Sequence, residues 1–361
     1  MQWRIAYLVC SISILVNPLN AQSVRPYKDM VFGQVAAGGG YESWITITNR
    51  GTEPYTGSLY LYRSKAQPWN PTVDGNPVTD GKIAVSIPSG ATRTLRVSGS
   101  KNTESGFAAF TADNLLQTNF LEGNLTYITK TGNVITDSVG VTPSSEFYIS
   151  TIPFEDLLTV ALALVNRDPK AATVRLEVYS DTNTQVASKT IALLNNEQYV
   201  RFLWEEFGRL TTGRGRLEIH SDVPIAGTAL LFSQNQSSSL PLLPALRSYS
   251  VVLTSKGLVS KGQISLWAEG PYFNGLFVAT DILGVPISPV SALVSGQMLE
   301  GKLKLVVYVG TTEFANPDVI GVATSVDAFS FDSNKVDLVY YGAALPKGRV
   351  QTGTFSITRT N

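Results

Sequence analysis

The sequence predicts an all-β protein: two tandem immunoglobulin-like β-sandwich repeats followed by a C-terminal antiparallel β-domain, either a barrel or a third sandwich. Three observations carry this. Apolar and polar residues alternate at period two in segment after segment, the spacing of half-buried strands. A block from Ile45 to Tyr62 aligns without a gap to one from Leu162 to Tyr179, and repeats at a fixed period reveal repeated architecture. Each repeat holds about seven short strands in roughly 100 residues, with turn signals every 8–12, the pattern of an immunoglobulin-like or related sandwich.

The N-terminus reads as an export signal over residues 1–21. Arg4 precedes the apolar run IAYLVCSISILV, and Ala21 offers a small residue for cleavage, the order of a secretory leader. The run is about a dozen residues, short of the roughly 20 that span a membrane. The single cysteine, Cys10, lies inside it and would leave with it. A secreted animal protein of this size would carry disulfides, so a bacterial exported protein is the better match, at the cell surface, outside the cell or in the periplasm. No membrane span is expected after signal removal. Without Arg4, 27 basic residues face 28 acidic ones, a net charge of about −1 that offers no electrostatic footprint for nucleic acid.

The first repeat is placed at residues 22–146. It opens on Gly38-Gly39-Gly40, followed by the alternating strand YESWITIT. A phosphate-binding loop needs Lys-Ser or Lys-Thr and a helix after its glycines, so these are expected to permit unusual backbone angles at a strand entrance. The second repeat is placed at 147–245. Asn49-Arg50 recurs as Asn166-Arg167, and Tyr62 and Tyr179 each fall 13 residues after the Asn. Segments 83–97 and 191–204 are matching strand–turn–strand units, and Gly106 and Gly215 open matching final segments. The insertion at 64–81 replaces a tight hairpin with a Pro- and Trp-bearing loop. The C-terminal domain is placed at 246–361, after the Ser237–Ser239 tract, Pro241 and Pro244, which suit a chain crossing between domains. Its strand-like runs and short connections suit a meandering antiparallel sheet.

The glycine-led entrance, the strand ending in Asn, and the closing RLEIHSDVPIAGTALLF and SSSLPLLP together resemble tandem immunoglobulin-like repeats in secreted proteins of soil bacteria, notably acidobacteria. The resemblance covers about residues 30–245. It implies exported β-sandwich repeats and brings no enzymatic activity, cofactor or ligand with it.

Residues suited to chemistry are few. His220 is the only histidine, on the polar phase of a strand opposite Leu217 and Ile219, with Asp222 expected in the adjoining turn. A mature chain without cysteine has no thiol catalysis or Cys-ligated zinc. Glu205-Glu206 is read as part of a short helical turn anchored by Leu203, Trp204 and Phe207; neighbours on a helix diverge, so the pair is no acid/base couple. Asp181, Asn183 and Gln185 alternate like the first ligands of a calcium loop, but the Gly and terminal Glu of that motif are missing. No catalytic residue, metal site or cofactor is expected. The speculative ligand-binding residues are Trp69 on the insertion, Tyr55, and the turn-borne pair Tyr272 and Phe273, aromatics that could stack on a sugar or a protein partner; the alternative for Trp69 is that it folds back to cover the sandwich edge. The expected function is that of an exported, non-enzymatic structural, adhesive or partner-binding protein, with self-assembly through edge strands. Carbohydrate binding by exposed aromatics is the alternative, and a carboxylate-dependent hydrolase the third reading.

Overall fold

The computed structural model describes residues 30–360 apart from 114–120, 145, 209–212, 234–235, 241, 245, 256, 270–271, 283–284, 310–317, 330–332 and 344–349. The leader at 1–21 lies outside them. The described chain is almost entirely β, in two sandwiches and a closed barrel.

The first sandwich contains β1 (Met30–Ala37), β2 (Tyr41–Asn49), β3 (Tyr55–Arg63), β4 (Thr72–Val73), β5 (Asn76–Pro77), β6 (Lys82–Ile87), β7 (Thr92–Ser98), β8 (Glu104–Ala112), β9 (Leu121–Thr131) and β10 (Val134–Val141). One sheet runs β1-β8-β3-β6 and the other β10-β9-β2-β7-β4-β5. Alternation in ITIT and SLYLY sends Ile45 and Ile47 from one sheet, and Leu59 and Leu61 from the other, into a shared core.

The second sandwich contains β11 (Phe147–Phe154), β12 (Val160–Asn166), β13 (Ala172–Ser180), β14 (Gln185–Leu193), β15 (Gln198–Phe202), α1 (Leu203–Phe207), β16 (Gly215–Ser233), β17 (Gln236–Leu240) and β18 (Leu243–Pro244). Its pairing scheme parallels the first. β2 lies between β9 and β7, as β12 lies between β16 and β15; β3 lies between β8 and β6, as β13 lies between β16 and β14. The 19-residue β16 does the work of two strands, its first part pairing with β13 and its later part, from Ile225, with β12.

Two matched residue sets explain why the sequences align. Asn49 is buried and its Nδ2 donates to the carbonyls of Glu53 and Ile87, while its Oδ1 accepts from Gly51 N–H. Asn166 does the same with Lys170, Leu193 and Asp168. A buried amide that satisfies backbone groups on both sides of a turn fixes that turn, and leaving those groups unmet is costly. Gly106 and Gly215 are matched by a shared close approach: a Cβ would lie 1.9 Å from the Tyr62 carbonyl oxygen in one case and 2.1 Å from that of Tyr179 in the other. Only glycine fits at either position.

Gly38, Gly39 and Gly40 close the β1–β2 turn with φ of +81°, +60° and +93°. A Cβ on Gly38 would meet the Asn102 carbonyl oxygen at 2.2 Å. The stretch is a tight turn, and its glycines serve the backbone.

The two sandwiches interlock. Gln198 Nε2 donates to the Gly33 and Gly106 carbonyls at 2.7 and 2.9 Å, beside a buried apolar cluster of Val31, Phe107, Ala109, Val165 and Ala226. The insertion joins this contact, since the Ser64 carbonyl accepts from Gln198 N–H at 2.9 Å. Ser237–Ser239, expected as a crossing segment, instead form part of β17 and pair with β16.

The C-terminal part is a barrel of β19 (Leu246–Ser255), β20 (Leu258–Glu269), β21 (Tyr272–Ile282), β22 (Val285–Leu299), β23 (Lys302–Val309), β24 (Asp318–Ser325), β25 (Lys335–Ala343) and β26 (Val350–Arg359), closed by pairing of β19 with β26. Its interior is filled by side chains such as Tyr249, Leu266, Phe273, Leu305, Leu338 and Phe355, as expected at eight strands. The exposed outward positions of its described residues mix polar side chains such as Lys261, Gln263, Lys335 and Asp337 with apolar ones such as Val252, Leu276, Val322 and Val339. Among the described residues no helix is long and apolar enough to cross a membrane.

Candidate functional site

Among the described residues, one group of His and carboxylate side chains lies within metal-ligand spacing of one another, Glu177, Glu218 and His220, where the second sandwich meets the barrel. Strand alternation builds it. Val174, Leu176 and Val178 of β13, with Leu217 and Ile219 of β16, enter the sandwich core. Arg175, Glu177 and Tyr179, with Arg216, Glu218 and His220, therefore share the opposite face. Register sets Glu177 directly across from Glu218 and Arg175 across from His220. That face would be solvent-exposed in an isolated sandwich; here the barrel covers it.

β11 makes the apolar half of the junction. A register shift between Phe147 and Ile149 lets Phe147 join the sandwich core while Ile149 joins the barrel core, a typical effect of a bulge. Tyr148 packs against Phe273 of the barrel, with ring centroids 6.2 Å apart.

Like charges facing each other across two strands repel, and arginines neutralise them. Arg216 Nε donates to Glu218 Oε1 at 2.8 Å, and Arg175 Nε lies 3.3 Å from Glu177 Oε1. Arg247, from the first strand of the barrel, donates to Glu218 Oε2 at 2.5 Å, and both side chains are about 95% buried. His220 Nε2 lies 3.3 Å from Glu177 Oε2 and 3.4 Å from Glu218 Oε2, at the long edge of hydrogen-bond reach. The Tyr179 hydroxyl donates to Glu177 Oε2 at 3.1 Å, and the Arg216 guanidinium stacks on the Tyr179 ring at 4.4 Å.

Both carboxylates are held below the ordinary range. For Glu177 the leading cause is the His220 interaction, which with Arg175 and Tyr179 outweighs burial. For Glu218 burial is the largest influence and pushes upward, but His220, Arg247 and Arg216 together override it and hold the group well down. Native pKa values below those of the unfolded chain mean that the unfolded state binds more protons as pH falls. The stability these groups contribute is thus fully present above about pH 4.5 and is lost as pH drops through the lower native values. Acid titration followed by near-ultraviolet circular dichroism is expected to show wild type losing stability below that point. A Glu218→Gln variant should begin weaker and show a shallower acid dependence; parallel titration curves would contradict this.

The arrangement defines what the cluster can do. General acid catalysis needs a carboxyl that keeps its proton near neutral pH, and these two are ionised. Ser221 follows His220 on one strand, so alternation separates the two side chains and they make no nucleophile–base pair. The ligand atoms of Glu177, Glu218 and His220 lie within 4.8 Å of one another, a spacing a metal could bridge. The donor set does not fit a dication, however: two carboxylates are already answered by Arg175, Arg216 and Arg247, an excess of positive charge before any metal is added. The cluster is a desolvated ion-pair network across a junction.

Beside it lies a cavity of about 450 Å³ between the sandwich and the barrel, with Arg175, His220 and Ser221 on the sandwich side and Met298 and Phe329 on the barrel side. Neither Glu177 nor Glu218 lines it.

The sequence-derived ligand residues fall elsewhere and do not converge. Of the two readings open for Trp69, a stacking platform or a side chain folded back over the sandwich, the second holds: Trp69 is fully buried in the first sandwich core, and its Nε1 donates to Glu104 Oε2 at 2.9 Å. Within the insertion, β4 and β5 form a small hairpin that pairs with β7, and Trp69 is folded inward. Tyr55 is buried in the same core, tilted on Phe110, and burial pushes its hydroxyl up to about 12. Phe273 is buried in the barrel. Tyr272 opens β21, and its side chain lies outside the described part. Burial of the three described aromatics removes the stacking surface that motivated their selection.

Other readings find their places. Glu205 and Glu206 lie on the short helix α1; Glu205 accepts from Phe202 N–H at 3.1 Å and Glu206 pairs with Lys189 and Arg201. Asn183 takes the positive-φ position of the β13–β14 turn and accepts from Arg216. Asp222 lies within β16, where it accepts from Thr173 N–H at 2.7 Å.

The sequence reading missed Glu177, Glu218 and Arg247. A signal was present: Arg-Leu-Glu occurs at 175–177 and again at 216–218, each Arg forming an ion pair with the Glu two residues later on a strand face. The covering arginine from the barrel carries no such local mark. The chain matches no protein-family model, and no curated protein matches it.

Proposed function

We propose that this chain is an exported, non-enzymatic β-protein that acts as a rigid structural or partner-binding unit at the cell surface or in the extracellular matrix. The observation that carries the non-enzymatic part is the use made of the only histidine and its two glutamates. They are ionised or pinned within arginine pairs beneath the barrel, with neither carboxylate on the adjoining cavity. Rigidity is supported by the two junctions, Gln198 between the sandwiches and Arg247–Glu218 at the barrel. Export is supported by the charged, apolar and small-residue order of residues 1–21.

The shared pairing scheme, with the matched Asn49/Asn166 and Gly106/Gly215 sets, supports a duplicated immunoglobulin-like sandwich of the kind seen in secreted soil-bacterial proteins. Strand addition could use β6, β10 and β14, each paired on one side only among the described residues; Val134 and Ile135 on β10 are exposed. The test is a broad turnover screen of the purified protein against glycoside, ester and peptide substrates. No turnover above that of a His220→Asn variant is expected. Turnover that a folded Glu177→Gln variant loses would overturn the reading.

A further inference from the structure

We propose that Asn124 is the attachment site of an N-linked oligosaccharide, added by a membrane transferase outside the cytoplasm; the proposal rests on export of the chain. Asn124-Leu125-Thr126 has the Asn-x-Thr order of the acceptor motif, with no proline in the middle. Glu122 stands two residues before the asparagine, the acidic extension that bacterial transferases read. Such tripeptides recur by chance; what singles this one out is where β9 puts it.

Alternate strand residues point the same way, so Glu122, Asn124 and Thr126 share one face of β9. The core takes Leu125 from the opposite face, and Asn124 is exposed. Pairing of β9 with β10 covers 125–131 only. Asn124 therefore lies just beyond the end of that neighbour and pairs on one side, with Thr46 of β2. Among the described residues its side chain makes one hydrogen bond, within its own tripeptide: Nδ2 donates to Thr126 Oγ1 at 3.3 Å. Thr46, directly opposite, shares its hydroxyl with Thr94 instead, at 3.0 Å. Asparagine is a poor strand former, and no cross-strand bond accounts for it here.

β10 leaves room beside the amide. Gly140 stands opposite Thr126, and a Cβ on it would meet only the Asn124 side chain, 3.8 Å from Oδ1 and 4.0 Å from Nδ2. Its φ is outside the left-handed region, so the backbone does not demand glycine, and a glycine inside a strand can mark a place where another group approaches closely. On the other flank, the Thr46–Thr94 and Thr48–Thr92 hydroxyl pairs give a polar surface for a sugar to lie against. In the transfer, Asn124 Nδ2 attacks the anomeric carbon of a lipid-diphosphate-linked oligosaccharide. The N–C bond forms as the C–O bond to the diphosphate breaks. The lipid diphosphate leaves with the electron pair, and the amide nitrogen gives one proton to a base of the transferase.

The experiment expresses the full chain in bacterial cells that carry an N-glycosylation pathway reading acidic acceptor motifs, and maps the product by mass spectrometry. The peptide bearing Asn124 is expected to gain the mass of one oligosaccharide. Asn124→Gln, Thr126→Val and Glu122→Gln should each lose that mass, while Thr126→Ser should keep it. The N-terminal peptide reports export separately, because removal of residues 1–21 shows in the same spectrum. A second protein carries the host's own export leader in place of those residues, so that reaching the transferase does not depend on them. Asn124 left unmodified in this second protein, or sugar retained by any of the three variants, would overturn the proposal. Retention of residues 1–21 in the first protein would contradict export alone, and the second protein would still decide the site.

Discussion

Replacing Glu218 with leucine is expected to destabilise the protein by about 3–5 kcal/mol. The loss comes chiefly from what remains. Arg247 would stay buried at the sandwich–barrel junction without its carboxylate, and Arg216 would lose its Nε acceptor. Removing one partner of a desolvated pair costs more than the pair contributes, because the remaining charge has no water to return to. Urea unfolding of wild type and Glu218→Leu measures the difference, and a loss within about 0.5 kcal/mol, the usual range for surface substitutions, would show that the pair is not desolvated in solution. Barrel packing should also loosen, seen as faster amide exchange along β19 and β11.

Trp69→Ala is expected to cost about 3–5 kcal/mol, the range for truncating a large buried aromatic. Trp69 is among the largest fully buried side chains, and it closes the sandwich beneath the β4–β5 hairpin. Its indole N–H also bonds Glu104, whose carboxyl is lowered first by that bond and then, against burial, by Arg63. Trp69→Phe keeps most of the packing and removes the bond, so about 0.5–1.5 kcal/mol of additional instability is expected from the bond alone. Equilibrium unfolding of the three proteins checks the order. An alanine variant as stable as wild type would place the indole outside the core and restore the exposed-loop reading.

Trp69 also shows where sequence reasoning reaches its limit. Proline and polar neighbours marked its segment as a loop, which it largely is, and left open whether the indole stacks outward or returns to cover an open edge. The two-residue strands that bring it back have almost no period to detect. By contrast, ITIT, LALV, LEVY and LEIH each show which side chains face the core, because alternation is a local property. The Asn49/Asn166 and Gly106/Gly215 correspondences were legible as pattern before their causes were visible. Alternation also placed His220 opposite Leu217 and Ile219, on a polar face. What it does not contain is the cover on that face: Arg247 arrives from a strand 27 residues beyond His220, after the chain has changed domain. Burial of the histidine, ionisation of the two glutamates and the neighbouring cavity all follow from that docking.

Barrel closure belongs to the same class of long-range fact. The runs from SYSVVLTS onward read as antiparallel strands with short connections, equally compatible with a barrel or a sandwich. Pairing of β19 with β26, which places Val251 opposite Ile357, decides between them. Among the described residues the barrel interior is packed by side chains such as Leu266 and Phe355.

The central claim is that Arg247 and Glu218 form a desolvated clamp fastening the barrel to the second sandwich. A double-mutant cycle tests it most directly, comparing wild type, Glu218→Leu, Arg247→Met and the double variant by urea unfolding. The account predicts a coupling of about 2–3 kcal/mol, with the double variant recovering much of the stability lost in either single one, because neither buried charge remains. Additive losses, with coupling below about 0.5 kcal/mol, would contradict it.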